Sequence, residues 1–211
     1  MIPGIDPTDD YVFKKVFGSE PNVPVLLDML DAVLQPPPDQ RIVSLELRNP
    51  FNEKDFLEDK LSVLDIKARD ERGRQYNIEM QMVAEPIFPH RVLYYWAELH
   101  SDQLHEGDDY RLLQPTISIC FVNRVLFAQV PAFHLDFRLR SSRHPELVFS
   151  DHQWIHLIEL TKFTKSAAEL AGRVVLFPGA RRGTGYGTFA EYHACRRGRK
   201  GAAGTCYDIP E

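Results

Sequence analysis

Cysteine is scarce in this 211-residue chain, with three in all. Cys120, Cys195 and Cys206 are too few and too scattered for a disulfide framework. Cys120 lies inside the apolar run Ile117–Val122 and reads as a buried core thiol, while Cys195 and Cys206 have no paired His or Cys to suggest zinc. No stretch approaches the roughly 20 apolar residues that span a bilayer. The opening Met1-Ile-Pro-Gly-Ile-Asp-Pro7 lacks both a basic and an apolar region, so no signal peptide is expected. There is no internal repeat, and no pair among the eight histidines has zinc-protease spacing. These absences point to a reduced, cytoplasmic protein with no membrane partner. Net positive charge is absent too: the formal charge of −5 excludes a simple basic-arm DNA binder.

That charge is unevenly spread. Residues 1–171 hold 18 Lys/Arg and 27 Asp/Glu, whereas residues 172–211 hold seven and three, together with eight of the twelve glycines. The first part carries regular patterns. Val12, Phe13, Val16 and Phe17 recur at helical spacing between Asp6-Pro7-Thr8 and Gly18. Pro21–Leu34 predicts a second helix, ended by Pro36-Pro-Pro38. Ile42–Leu47 alternates as a strand does. A helix is expected from about Arg91 to His105 after breaks at Pro86 and Pro89, with Val92, Tyr95, Leu99 and Leu104 buried. Thr116–Val122 predicts a central strand covered on both faces. Phe133–Leu139 and Trp154–Leu160 are further strands, and Lys165–Leu170 starts a last helix.

Two segments carry the chemistry. In Leu61–Ala68, Asp65 and Lys67 share one face; in Gln75–Met82, Gln75, Asn77, Glu79 and Gln81 share one face. A turn through Asp70 and Gly73 joins them into a hairpin. Same-face residues on neighbouring antiparallel strands approach to about 5 Å. An Asp and a Glu so placed can share a divalent ion, and the Met80 carbonyl could add an oxygen ligand. Such an ion polarises a phosphodiester and acidifies a bound water. A solvated sheet face has the same pattern, and periodicity alone does not separate the two.

Lys60–Ala68, the turn through Gly73, and Asn77-Ile-Glu-Met-Gln81 resemble the Rpn family of recombination-promoting nucleases, within the PD-(D/E)xK nuclease superfamily. Asp10–Gly18, Arg91–Tyr95, Gln103–Tyr110, Pro115–Ile119 and Ile158–Phe163 extend the resemblance over residues 8–165. The resemblance implies an α/β fold: a restriction-endonuclease-like αβββαβ core, with a mixed central sheet flanked by helices. It also implies Mg²⁺-dependent DNA cleavage (Mn²⁺ or Ca²⁺ as alternatives), a link to recombination or mobile elements, and no small-molecule cofactor. Asp65 matches the superfamily's metal-binding aspartate and Glu79 its second acid. Gln81 stands where the wider superfamily has lysine, so the missing positive charge is assigned to Lys67, with Gln81 as the alternative that positions water. A DNA-binding remnant without strong activity is the second reading, and a homodimer is expected by analogy. Asp10 and Lys14 form an i,i+4 surface pair or, alternatively, an accessory acid and a phosphate contact. Lys60 and Arg91 are each either an ion-pair member or a DNA-backbone contact. Tyr94, Tyr95 and Trp96 are expected to pack the central helix rather than stack on bases.

Residues 172–211 form a separate Gly/Arg-rich tail with no apolar period. Arg181, Arg182, Arg196, Arg197, Arg199 and Lys200 could make a phosphate-binding arm. The abrupt change of composition is also what a shifted reading frame produces, and that is the reading preferred here.

Overall fold

The computed structural model describes residues 10–49, 65–81 and 86–162. Lys60, the tail 172–211 and the expected helix at 165–170 lie outside the described residues. The chain divides into two units, one built from residues up to Val23 and from Val43–Lys162, the other including Pro24–Ile42.

In the first unit, helix α1 spans Asp10–Phe17 and buries Phe13 and Phe17, whose rings lie 4.8 Å apart. Gly18 ends it for a steric reason. A Cβ there would sit 2.7 Å from the Lys14 carbonyl, which the Gly18 N–H already bonds. The second helix, α2, spans Val23–Leu34 and buries Leu26, Met29, Leu30 and Val33, the spacing of one helical face.

Six strands form one mixed sheet: β1 Leu45–Leu47, β2 Ile66–Asp70, β3 Gln75–Gln81, β4 Thr116–Val122, β5 His134–Arg138 and β6 Gln153–Glu159. Their order is β1-β2-β3-β4-β6-β5. β1, β2 and β3 are antiparallel, β3, β4 and β6 are parallel, and β5 returns antiparallel along β6. The parallel step from β3 to β4 passes through helix α3, Phe88–Ser101, as a parallel pair requires a crossover. All seven residues of β4 are buried. Phe13 of α1 packs on Phe121 from one side, with ring centroids 5.8 Å apart. From the other side Phe88 and Val92 of α3 cluster with Cys120, Val122 and Leu157.

Three boundaries differ from the sequence expectation. β1 is shorter than 42–47, because the backbone N–H groups of Val43 and Ser44 reach the Glu71 carboxylate (3.3 Å each) rather than a strand. α3 starts before Pro89 rather than after it; in the first turn a proline's missing N–H has no helical partner to lose. α3 also stops at Ser101 rather than His105. Gln103 instead exchanges hydrogen bonds with the Gln114 backbone, donating to its carbonyl at 3.0 Å and accepting from its N–H at 2.9 Å. Trp96 packs as expected: its indole N–H donates to the Thr116 carbonyl at 2.9 Å and its ring stacks on His100.

A buried polar clamp closes the end of β6. Glu159 is fully buried and accepts the backbone N–H groups of Leu126 (2.7 Å) and Phe127 (2.9 Å). Lys162 pairs with its other oxygen and also donates to the carbonyls of Phe127 and Val130. The loop leaving β4 is thus held by one buried ion pair. No described helix is long and apolar enough to cross a membrane.

Candidate functional site

The β2–β3 ladder pairs Ile66 with Ile78 and Lys67 with Asn77. Carried one residue further, the same register sets Asp65 across from Glu79. Glu79 in turn neighbours Cys120, and Gln81 neighbours Val122, in β4. This polar face is not solvated, because α3 lies over it: Asn77 and Ser118 are buried and Glu79 is mostly so.

Asp65 is held by its backbone. The Asn49 side chain donates to the Asp65 carbonyl (3.1 Å) and accepts the Lys67 N–H (2.6 Å), mimicking a short strand rung. The Asp65 residue is only 5% exposed, and no described group hydrogen-bonds its Oδ1. Burial pushes its carboxyl above the usual carboxylate range, against the pull of the Lys67 and Lys14 charges; Glu98 adds a smaller push in the same direction as burial. Lys14 reaches this point from α1. Burial lowers its ammonium, and Asp65 acts in the opposite sense.

Glu79 and Gln81 share one cation. The Nη2 of Arg91, in the second turn's reach of α3, donates to Oε1 of both. Of the two alternatives left open for Arg91, the structure shows the ion pair. Its guanidinium carbon lies 5.4 Å from the Phe88 ring centroid. Cys120, behind Glu79, is a free buried thiol, and burial pushes its pKa up first, with the Glu79 charge adding to it.

Six sequence candidates with described side chains thus come from three elements: Asp65, Lys67, Glu79 and Gln81 from the hairpin, Lys14 from α1 and Arg91 from α3. Met80 turns its side chain into the core. Asp10 opens α1, but its side chain lies outside the described residues. Asn49 and Glu98 are new members. Asn49-Pro50 is a turn dipeptide, a signal of local backbone bonding but not of its partner.

A divalent ion fits this donor set. Among the described residues no three His, Cys, Asp or Glu side chains gather to hold a metal. Two carboxylates, one with an orphaned buried oxygen, leave room for a carbonyl and water, the mix that hard cations take.

An acid pair facing across an antiparallel hairpin, in a mixed sheet clad by α1 and α3, defines a PD-(D/E)XK nuclease-like domain. The chain belongs to the PD-(D/E)XK nuclease family transposases, whose family profile matches residues 7–176. Its membership makes it a nuclease-type protein of the kind linked to mobile elements. No curated protein and no solved structure is significantly similar to the chain.

Proposed function

We propose that the chain is a divalent-metal-dependent DNA endonuclease that hydrolyses phosphodiester bonds. The observation that carries this reading is the Asp65 carboxylate, buried, lacking a described donor at Oδ1, and one residue before the ladder whose register, carried on, leads to Glu79. A buried carboxylate oxygen with no hydrogen-bond donor is costly to keep, so a ligand at Oδ1 is a physical reason to retain it. Asp65 and Glu79 would hold the ion with the Met80 carbonyl; when bound, it supplies Lewis-acid polarisation of the phosphate and a more acidic water.

The chain's own residues do the rest. Lys67 and Lys14, whose charges act on Asp65, are placed to meet a phosphate oxygen and the charge that builds on it. The Gln81 amide is assigned to orienting a water. Lys60 and Arg91 are assigned to the DNA backbone, and Asp10 to an accessory acid. Burial beneath α3 excludes bulk water from the acid pair, which strengthens each of these interactions.

The test is nicking of supercoiled plasmid by the wild type and by Asp65→Ala, with Mg²⁺, Mn²⁺ or Ca²⁺. Cleavage that needs the ion and disappears in the variant supports the reading. DNA left intact by the wild type with every ion, yet bound at low salt, would identify a binding remnant instead.

A further inference from the structure

The proposed acid pair is already surrounded by cations. Arg91 touches Glu79 and Gln81, while Lys67 adjoins Asp65 and Lys14 lies close to it. Glu98 of α3 adds a third acid that acts on Asp65. An ion entering here meets Arg91 on an oxygen that Glu79 would give it. Yet Arg91 is not locked in. Its side chain is 39% exposed, and its Nε is buried with no described acceptor. The guanidinium therefore has an unspent donor beside the two that point at Glu79 and Gln81. A guanidinium fork matches two oxygens of a phosphate at least as well as two separate carbonyl-type oxygens.

We propose that Arg91 is a resident counter-cation that couples metal binding to nucleic acid: it holds Glu79 and Gln81 until a phosphodiester draws the guanidinium away and frees Glu79 for the ion. Metal and DNA then strengthen each other's binding, and by linkage to the same degree. This inference rests on the nuclease reading above, but predicts binding behaviour that reading does not require.

The test is Mn²⁺ affinity, read by electron paramagnetic resonance of the free ion, on the full chain with and without a short DNA duplex, with duplex alone as background. The wild type is expected to bind Mn²⁺ about tenfold more tightly with DNA, within the usual range of coupling between sites. Arg91→Gln is expected to bind Mn²⁺ about tenfold more tightly than wild type without DNA, and to gain little more when DNA is added. Arg91→Lys keeps the charge and is expected to stay weak without DNA. Equal wild-type affinity with and without DNA overturns the proposal, a result that needs no variant to fold. So does an Arg91→Gln protein, folded by circular dichroism, that binds Mn²⁺ no better than wild type. Either result beside normal Mg²⁺-dependent cleavage removes the coupling and leaves the nuclease intact. Absence of Mn²⁺ binding under every condition removes both.

Discussion

Two buried carboxylates on the same sheet face have opposite surroundings. Glu159, at the end of β6, is fully buried; one oxygen accepts two backbone N–H groups, and the other has the Lys162 ammonium as its ion-pair partner though it accepts no hydrogen bond from a described residue. Asp65, beside β2, is nearly as buried, but no described donor reaches its Oδ1. Asp70 repeats the Glu159 case within the hairpin itself. Its carboxylate takes the N–H groups of Arg72 and Arg74, the Arg74 Nε and the Tyr76 hydroxyl. The fold can therefore satisfy a buried acid where the acid serves the fold. Where it does not, a ligand from outside is the economical explanation.

Removing partners is the direct way to break this contrast. Lys162→Met leaves Glu159 buried and unpaired, and is expected to destabilise the protein by about 3–5 kcal/mol. Urea unfolding would check it; a loss under about 1 kcal/mol would mean the clamp is not structural. Asp65→Asn should do the reverse. It removes a charge whose burial outweighs the pull of Lys67 and Lys14, so stability is expected to hold or rise, while cleavage falls at least about 100-fold, near 2.7 kcal/mol in the barrier. If Asp65→Asn lost stability as Lys162→Met does, the two acids would be alike and the distinction would fail.

A second orphan atom sharpens the point. On the opposite face of the sheet, His156 is buried, bonds His134 through Nδ1 at 3.0 Å, and has no described partner at Nε2. Burial first, then the neighbouring His134, lowers its pKa to about 4. An imidazole can stay neutral at pH 7, so an orphaned nitrogen costs far less than an orphaned carboxylate. Below its ordinary pKa the unfolded chain takes a proton that the folded chain refuses. Stability is thus complete above about pH 6.5 and lost as pH falls toward 4, by roughly 3 kcal/mol. Unfolding midpoints at pH 7 and 4.5 should converge in His156→Asn. An unchanged acid slope in that variant would show that His156 is charged in the fold.

Much of this was legible from period and spacing. The alternation of Gln75–Gln81 put Glu79 and Gln81 on one face, and the apolar run at 116–122 became the fully buried central strand. Period cannot say what lies over a face. The polar side of the hairpin looked the same whether solvent or α3 covered it, and only the fold set Arg91 on Glu79 and Gln81. Long-range side-chain bonds were equally silent. Alternation marks Glu159 as part of a strand but says nothing of its role or that of Lys162, since their backbone partners lie some 30 residues away in the β4–β5 loop. Asn49 was missed because its partners, Asp65 and Lys67, come from a different segment.

Asn49 gives the smallest effect and the finest test of the comparison. Among the described residues it is the side chain that fixes the backbone on both sides of Ile66, accepting from the Lys67 N–H and donating to the Asp65 carbonyl. It touches neither acid's carboxylate. Asn49→Ala removes two half-buried hydrogen bonds to backbone, worth about 1–2 kcal/mol together. The larger consequence should be positional: Asp65 loses the tether that holds it across from Glu79, and site geometry is sensitive to shifts well under an ångström. Mn²⁺ affinity is expected to weaken about tenfold, a loss in the range seen when a partner behind a metal ligand is removed. Asn49→Asp separates the two effects. It keeps the acceptor for the Lys67 N–H but cannot donate to the Asp65 carbonyl, so it should recover part of the stability and less of the affinity. If both variants weakened stability while leaving Mn²⁺ binding at the wild-type value, the placement of Asp65 would not depend on this bridge, and the register of the β2–β3 ladder alone would have to hold the acid pair.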